Sequence, residues 1–369
     1  MRVSTFWNKM KIFTKDRKNV DVNELYISQE LPEFSVRNDY TKKREYNSIE
    51  IKELSNFYRY NFRIGKSNNS IFVPESDLTN ILNMKGEVIT IYKDNILVGS
   101  IISYEIPVAI NKKINIPNVI TNFDNIKNKH DDVIFGCTTG LILQKKFRGT
   151  GLGIILIQES LQRMYETGIK AAYFINNVSR CSNSIPIINW YYPLNLDKLD
   201  KCHYLYPREF RNRFSVEGSN MSMIVNSDNA IMAHDFYTRY VKEKLFYFSP
   251  SIEYYQKWIK RFETYVVLEN SRITGLFTFN HVSIWYPSLN AVLEIGYLIT
   301  CIGEDIDFTI EQVLLQGKNS FDLIIFHELG DIKSKNLEKI FAQRNFKSYI
   351  NFFNTPVQLS HADFYAPVL

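Results

Sequence analysis

The chain has 369 residues, 45% of them apolar and 22% charged, an ordinary globular composition long enough for two domains or one large double-core domain. A net charge of +5 is too small to point to nucleic acid without a dense patch; Lys/Arg gather instead at Lys145/Lys146/Arg148 and Arg208/Arg211/Arg213, in the manner of local anion sites. Cys137, Cys181, Cys202 and Cys301 form no CxxC, which argues against zinc or a disulfide framework, and MRVSTFWNKMKIF lacks the apolar core of a signal peptide.

In chain order, residues 8–45 are polar and aperiodic and are expected to form an extended arm with short turns. SIEIKELSNFYRYNF (48–62) has helical spacing behind Ser48 as a cap. EVITIYKDNILVGSII (87–102) predicts two strands around Lys93-Asp94-Asn95. DVIFGCTTGLIL (132–143) predicts a buried strand, 152–168 a helix closed by Gly168, and KAAYFINNV (170–178) a returning strand.

The same order then recurs. A helix is expected over 229–246, where Phe236-Tyr237-Thr238-Arg239-Tyr240 echoes Phe57-Tyr58-Arg59-Tyr60. TYVVLENSRITGLFTF (264–279) repeats the strand pair with Gly275 where Gly99 stood, and a strand (289–300), a helix (307–317) and a strand (321–329) follow. The apolar run at 289–302 carries Glu294 and is too short to span a bilayer, so a soluble, cytoplasmic protein without a transmembrane segment is expected. A repeat of roughly 175 residues is a duplicated domain rather than a solenoid.

Between the strand at 132–143 and the following helix lies QKKFRGTGLG (144–153). Small residues there let an anion approach the backbone, the first helical N–H groups point at it, and Lys145, Lys146 and Arg148 add charge. The glycine spacing fits neither the dinucleotide-binding fingerprint nor the Walker loop. Two readings stand: a pyrophosphate seat, or a glycine-rich turn packed tightly on its sheet.

The Arg-x-x-Gly-x-Gly pattern on this turn resembles the acyl-CoA loop of the GCN5-related N-acetyltransferase fold. With Phe6-Trp7, the segment Asn189-Trp190-Tyr191-Tyr192-Pro193-Leu194-Asn195, and Arg213-Phe214-Ser215 followed by Asn220-Met221-Ser222-Met223, the order of landmarks resembles glycylpeptide N-tetradecanoyltransferase (N-myristoyltransferase) over nearly the whole chain. Taken singly, Phe6-Trp7 reads as a tail anchor, Trp190 as core and Asn220–Met223 as a plain strand.

The resemblance implies a mixed α/β fold of two fused acetyltransferase-like halves related by a pseudo-twofold. It divides the chain into an arm (1–45) contacting acyl-CoA, an N-terminal half (46–224) holding the acyl-CoA site, and a C-terminal half (225–369) holding the peptide site. Myristoyl-CoA is the implied co-substrate, no metal is needed, and the partners are proteins with an N-terminal glycine, acted on by a monomer with no nucleic-acid role. Thr5, Phe6, Trp7, Ile142, Leu143, Lys146, Arg148, Gly149, Thr150, Gly151, Leu152 and Gly153 correspond to the acyl-CoA site. Backbone N–H groups of Gly140 and Leu141, at a bulge, correspond to the oxyanion hole, and the α-carboxylate of Leu369 to the base; a C-terminal segment that merely fills a groove is the other reading of the tail. Ile175, Asn176, Asn177, Phe214, Ser215 and Glu328 correspond to the peptide site, with His327 beside Glu328 reading as packing.

The sequence departs from the family at Ile175-Asn176-Asn177, where the family has Thr-Ala-Gly, and at Arg63-Ile64-Gly65-Lys66, where its loop is acidic. A smaller or neutral residue after the acceptor glycine is therefore expected in place of a basic peptide. A shorter-chain N-acyltransferase of the same fold, and a catalytically silent acyl-CoA-, lipid- or protein-binding relative, are the competing readings.

Overall fold

The computed structural model describes residues 41–43, 45–62, 69–84, 86–111, 132–169, 171–176, 184–204, 218–340, 342–353, 359–367 and 369. The elements of the first half are β1 (Thr41–Lys43), α1 (Ser48–Asn61), β2 (Ser70–Phe72), α2 (Glu75–Asn83), β3 (Glu87–Lys93), β4 (Ile96–Ile110), β5 (Asp132–Leu143), α3 (Leu152–Glu166), β6 (Ala171–Asn176), β7 (Ser184–Pro193) and α4 (Leu196–Lys201). Then come β8 (Ser222–Ile224), α5 (Ala230–Val241), β9 (Phe246–Phe248), α6 (Ile252–Arg261), β10 (Glu263–Glu269), β11 (Arg272–Tyr286), β12 (Ala291–Gly303), α7 (Ile306–Gly317), β13 (Leu323–His327), α8 (Ser334–Lys339), β14 (Gln343–Phe353) and β15 (Phe364–Tyr365).

Two tight turns start the sheet in each half. Asp94 and Asn95 (φ 51° and 59°) join β3 to β4, and Asn270 and Ser271 (φ 49° and 64°) join β10 to β11. Two consecutive left-handed residues match the right-handed twist of the strands they connect. Each hairpin then carries a bulge at the same place, Val98 in β4 and Thr274 in β11, followed at once by Gly99 or Gly275. Both glycines lie under the helix of their own half. A Cβ at Gly99 would meet Leu143 and Leu156, and one at Gly275 would lie 2.6 Å from Thr309 Oγ1.

The strand order β1-β3-β4-β5-β6-β14-β7-β13-β12-β11-β10-β8 is a palindrome of the repeat. At its centre the halves exchange strands: β14 pairs with β6 and β7 with β13. The exchange recurs at the flanks, where β9 pairs with β4 and β2 with β11. The mixed α/β architecture of two halves related by a pseudo-twofold is thus the one observed.

Local differences from the sequence expectations have local causes. The cap of α1 is Asn47, whose side chain accepts from Ile49 and Glu50 while Glu50 bonds back to its N–H, a capping box that leaves Ser48 inside the helix. The helix expected over 229–246 stops at Val241; Phe246–Phe248 leave it as β9, all three buried, because ring burial outweighs helical continuation there. β4 runs eight residues past the expected 102, to Ile110, paired on both sides by β5 and β9. Of the expected arm, Thr41–Lys43 forms β1 against β3. Among the described residues no helix is long and apolar enough to cross a membrane.

Gly275→Ala is expected to destabilise the chain by about 1–3 kcal/mol, because its Cβ meets a β-branched threonine held to Asp305. Gly99→Ala meets the ends of two leucines that can swing aside, and is expected to cost less. Urea unfolding of the two chains gives the comparison, and equal losses would contradict it.

Candidate functional site

β5 organises the site. Its parallel ladder with β6 runs from Phe135/Ala171 to Thr138/Phe174 and stops, while β6 continues through Ile175 and Asn176 along β14. From that point β5 and β6 diverge into an opening. On its other edge β5 pairs with β4, and there Gly140 and Leu141 together stand opposite Ile101. Gly140 has φ +61°, the left-handed glycine of a bulge. A bulge leaves its extra residue out of the ladder, so the backbone amides of Gly140 and Leu141, which the family resemblance implies for an oxyanion hole, sit at a break in the β5 ladder, just past the end of its pairing with β6.

The following loop is a single 3-10 turn, Lys145–Phe147, anchored by Gln144: its N–H donates to Val98 O and its side chain to Leu97 O. Thr150 Oγ1 donates to Phe147 O, and Gly151 O accepts from Ile154 to start α3. Arg148 is turned toward the base of the loop, its guanidinium donating to Leu143 O and Asn61 O. It therefore ties the loop to the end of α1 while its charge stays near the helix start. Gly149 and Gly151 have φ +82° and +94°, and an added Cβ would meet nothing within 4 Å. A Cβ at Gly153 would make only an ordinary contact, 3.5 Å from Leu143. Tight packing does not explain these glycines; the left-handed backbone at Gly149 and Gly151 does, and it leaves the face of the loop bare of side chains. α3 carries no acidic residue in its first turn, and the amides of Leu152 and Gly153 have no partner within the helix.

The same point in the second half is built differently. β12 pairs with β13 only over Ile295–Tyr297, has its own bulge at Ile299, and leads to α7. Here the N-cap is Asp305, accepting from Phe308 N–H, and Asp307 follows in the first turn. Where β12 and β13 part, this second opening holds a cavity of about 30 Å³ against the tail, lined by Ile299, Cys301, His327, Gly330, Phe364 and Tyr365 among others.

The C-terminal segment crosses from this second opening to the first. Phe364 stacks on Phe246, Tyr237 donates to Tyr365 O, and Tyr173 Oη donates to Pro367 O at 2.8 Å. Leu369 packs against the main core, with its backbone near the Cys137 thiol on β5. Burial pushes the Cys137 thiol up to about 12, so it stays protonated. Tyr173 and Cys137 carry no motif; only their placement beside the tail marks them.

Trp190 is buried and its indole N–H reaches Glu328 Oε2 at 3.5 Å, while Ser334 donates to the other oxygen. His327 is buried against Tyr297, with Nδ1 2.7 Å from Asn189 Oδ1; burial alone holds it down to about 4, which makes it a neutral packing residue. Thr5, Phe6, Trp7, Asn177, Phe214, Ser215 and the Arg63–Lys66 loop lie outside the described residues. Among the described residues no group of His, Cys, Asp and Glu is placed to hold a metal.

Because the folded pKa of His327 lies below its unfolded value of 6.5, the contribution of this residue to stability is complete above about pH 6.5 and is lost as pH drops toward 4, by about 3 kcal/mol in all. Urea midpoints of the native and His327→Gln chains across this window test it: the fall on acidification should be shallower in the second, and equal slopes would contradict the assignment.

No protein-family model matches the chain, and no curated protein matches it. Solved structures do. A crystal structure of Saccharomyces cerevisiae N-myristoyltransferase with bound myristoyl-CoA has a TM-score of 0.76 at 14% identity, covering 98% of this chain and 94% of that one. A second such structure gives 0.72 at 14%, covering 95% and 86%, and one with bound myristoyl-CoA and inhibitors gives 0.74 at 13%, covering 99% and 94%. The chain resembles N-myristoyltransferase over nearly its full length and shares its fold.

Proposed function

We propose that the protein is an acyl-CoA N-acyltransferase that moves myristate from myristoyl-CoA to the N-terminal glycine of proteins. The observation that carries this is the sequence of features along β5: the β6 opening, the Gly140–Leu141 bulge, and then a glycine-lined loop at an open helix start. The pyrophosphate would sit on the amides of Leu152 and Gly153 with Gly149, Thr150 and Gly151, near Lys146 and Arg148. Ile142 and Leu143 would flank the pantetheine, and Thr5, Phe6 and Trp7 would cover it. The thioester oxygen would accept from the backbone N–H groups of Gly140 and Leu141.

In the reaction the glycine amine attacks the thioester carbon, an amide bond forms, and the C–S bond breaks to release CoA. The amine proton would pass to the Leu369 α-carboxylate. A chain-terminal carboxylate is a weak base that ordinarily titrates at about 3.5, but a terminal ammonium gives up its proton at about 8, so a desolvated carboxylate beside it suffices. Direct attack is supported by Cys137, whose protonated, buried thiol on the same strand is unsuited to a covalent acyl intermediate. Ile175, Asn176, Asn177, Phe214, Ser215 and Glu328 would line the acceptor. The commitment of the Glu328 carboxylate to Trp190 and Ser334 favours a small or neutral residue after the glycine.

Incubating the protein with myristoyl-CoA and a panel of glycine-initiated peptides is expected to yield N-myristoyl peptide. Tight acyl-CoA binding with no product would make the protein a silent relative, and preference for acetyl-CoA would make it a shorter-chain enzyme. One residue added after Leu369 is expected to abolish turnover while acyl-CoA still binds; full activity would remove Leu369 from the mechanism. Gly153→Ala is expected to keep the stability of the chain and weaken acyl-CoA binding about tenfold or more, measured by calorimetry.

A further inference from the structure

β15 is two residues long and pairs in parallel with β9 only at Phe364/Phe246 and Tyr365/Tyr247. So short a ladder specifies register weakly, and a slip by one residue would exchange the faces of Phe364 and Tyr365. It would also move Leu369 along the strand direction by about 3.3 Å, beyond proton-transfer reach of any fixed amine.

Beside the Phe364 ring contacts and the Tyr237 and Tyr173 hydrogen bonds to the tail backbone, a side-chain cluster at Asp331, in the turn after β13, opposes the slip. Its Oδ1 accepts from Tyr365 Oη at 2.7 Å and from Lys244 Nζ at 3.2 Å, and its Oδ2 lies 2.9 Å from Tyr240 Oη, whose single proton is shared with Gly303 O, also at 2.9 Å. Lys244 also lies over the Tyr240 and Tyr365 rings, 5.1 and 4.6 Å from their centroids. The backbone enforces the same register: the Tyr365 ring lies on Gly330, where a Cβ would come within 2.9 Å of it, and Gly330 N–H donates to His361 O. A partly buried carboxylate that takes Lys244 and the Tyr365 hydroxyl on one oxygen, and only a shared proton on the other, is poorly served without that hydroxyl; a phenylalanine slipped into its place would leave part of the demand unmet.

We propose that Asp331, through Tyr365, is a positioning residue for acyl transfer, fixing the register in which the tail presents Leu369 at the β5/β6 opening. The inference rests on the function proposed above, because it gives the tail's register a chemical role. Asp331 touches no reacting atom in this scheme. It acts from the second half on chemistry in the first, through the four residues that follow Tyr365.

Asp331→Asn and Tyr365→Phe are each expected to lower kcat about tenfold with KM for acyl-CoA within about twofold of the native value. Amide hydrogen exchange of residues 364–369 should quicken in both. The double variant should be no worse than either single one, since both remove one interaction. Additive losses, or unchanged kcat and exchange in both chains, would overturn the proposal; equal rises in acyl-CoA KM would instead indicate general loosening and also overturn it. Should the native protein acylate no glycyl peptide, the proposed function fails, and the exchange measurement still decides whether Asp331 holds the tail in register.

Discussion

Five aromatic rings meet where the two halves and the tail converge, and the geometry of the site follows from their packing. Phe135 on β5, Tyr173 on β6, Phe246 on β9, Phe352 on β14 and Phe364 on β15 are all buried, with neighbouring centroids 5.2 to 6.4 Å apart. Most cross edge to face and Phe246 stacks on Phe364, arrangements worth about 0.5–1.5 kcal/mol per pair beyond the area they bury. Because each ring comes from a different strand, the cluster fixes β5 and β6 together just below the point where they part. It also brings the tail against them. Tyr173 serves both ends of this arrangement, its ring in the cluster and its hydroxyl on Pro367.

The exchanged strands explain why the halves act as one body. β14 completes the sheet of the first half and β7 that of the second, so neither half can close its sheet alone. The largest core cluster accordingly draws residues from Leu54 through Ala366. A change near β13, such as the turn at Asp331, is therefore mechanically close to β5 although the two are far apart in the sequence.

Much of this was legible in the sequence wherever local chemistry decides. Asp94-Asn95 and Asn270-Ser271 mark hairpins through their tolerance of left-handed backbone, and the matched Gly99 and Gly275 announce the duplication. The glycine-rich strand-to-helix loop was legible too, but not the backbone geometry of each glycine in it. Only coordinates show that Gly149 and Gly151 face open space while Gly136 lies against Met164. β9 was missed because FYF continues a helical pattern and its burial depends on strands more than a hundred residues away. The tail contacts, the strand exchange and the Asp331 cluster are products of long-range pairing, which no window of sequence contains. Arg148 illustrates a further limit: its charge is readable, its hydrogen bonds to Leu143 and Asn61 are not.

The cap on α7 has a consequence for the molecule as a duplicated object. Two equivalent helices begin at two equivalent openings, yet one begins bare and the other brings Asp305 as its own counter-anion. A covalently attached carboxylate is always present at its helix, at a concentration no free phosphate can match. What remains is a chain whose two halves share a fold but differ in the chemistry at the start of the corresponding helix.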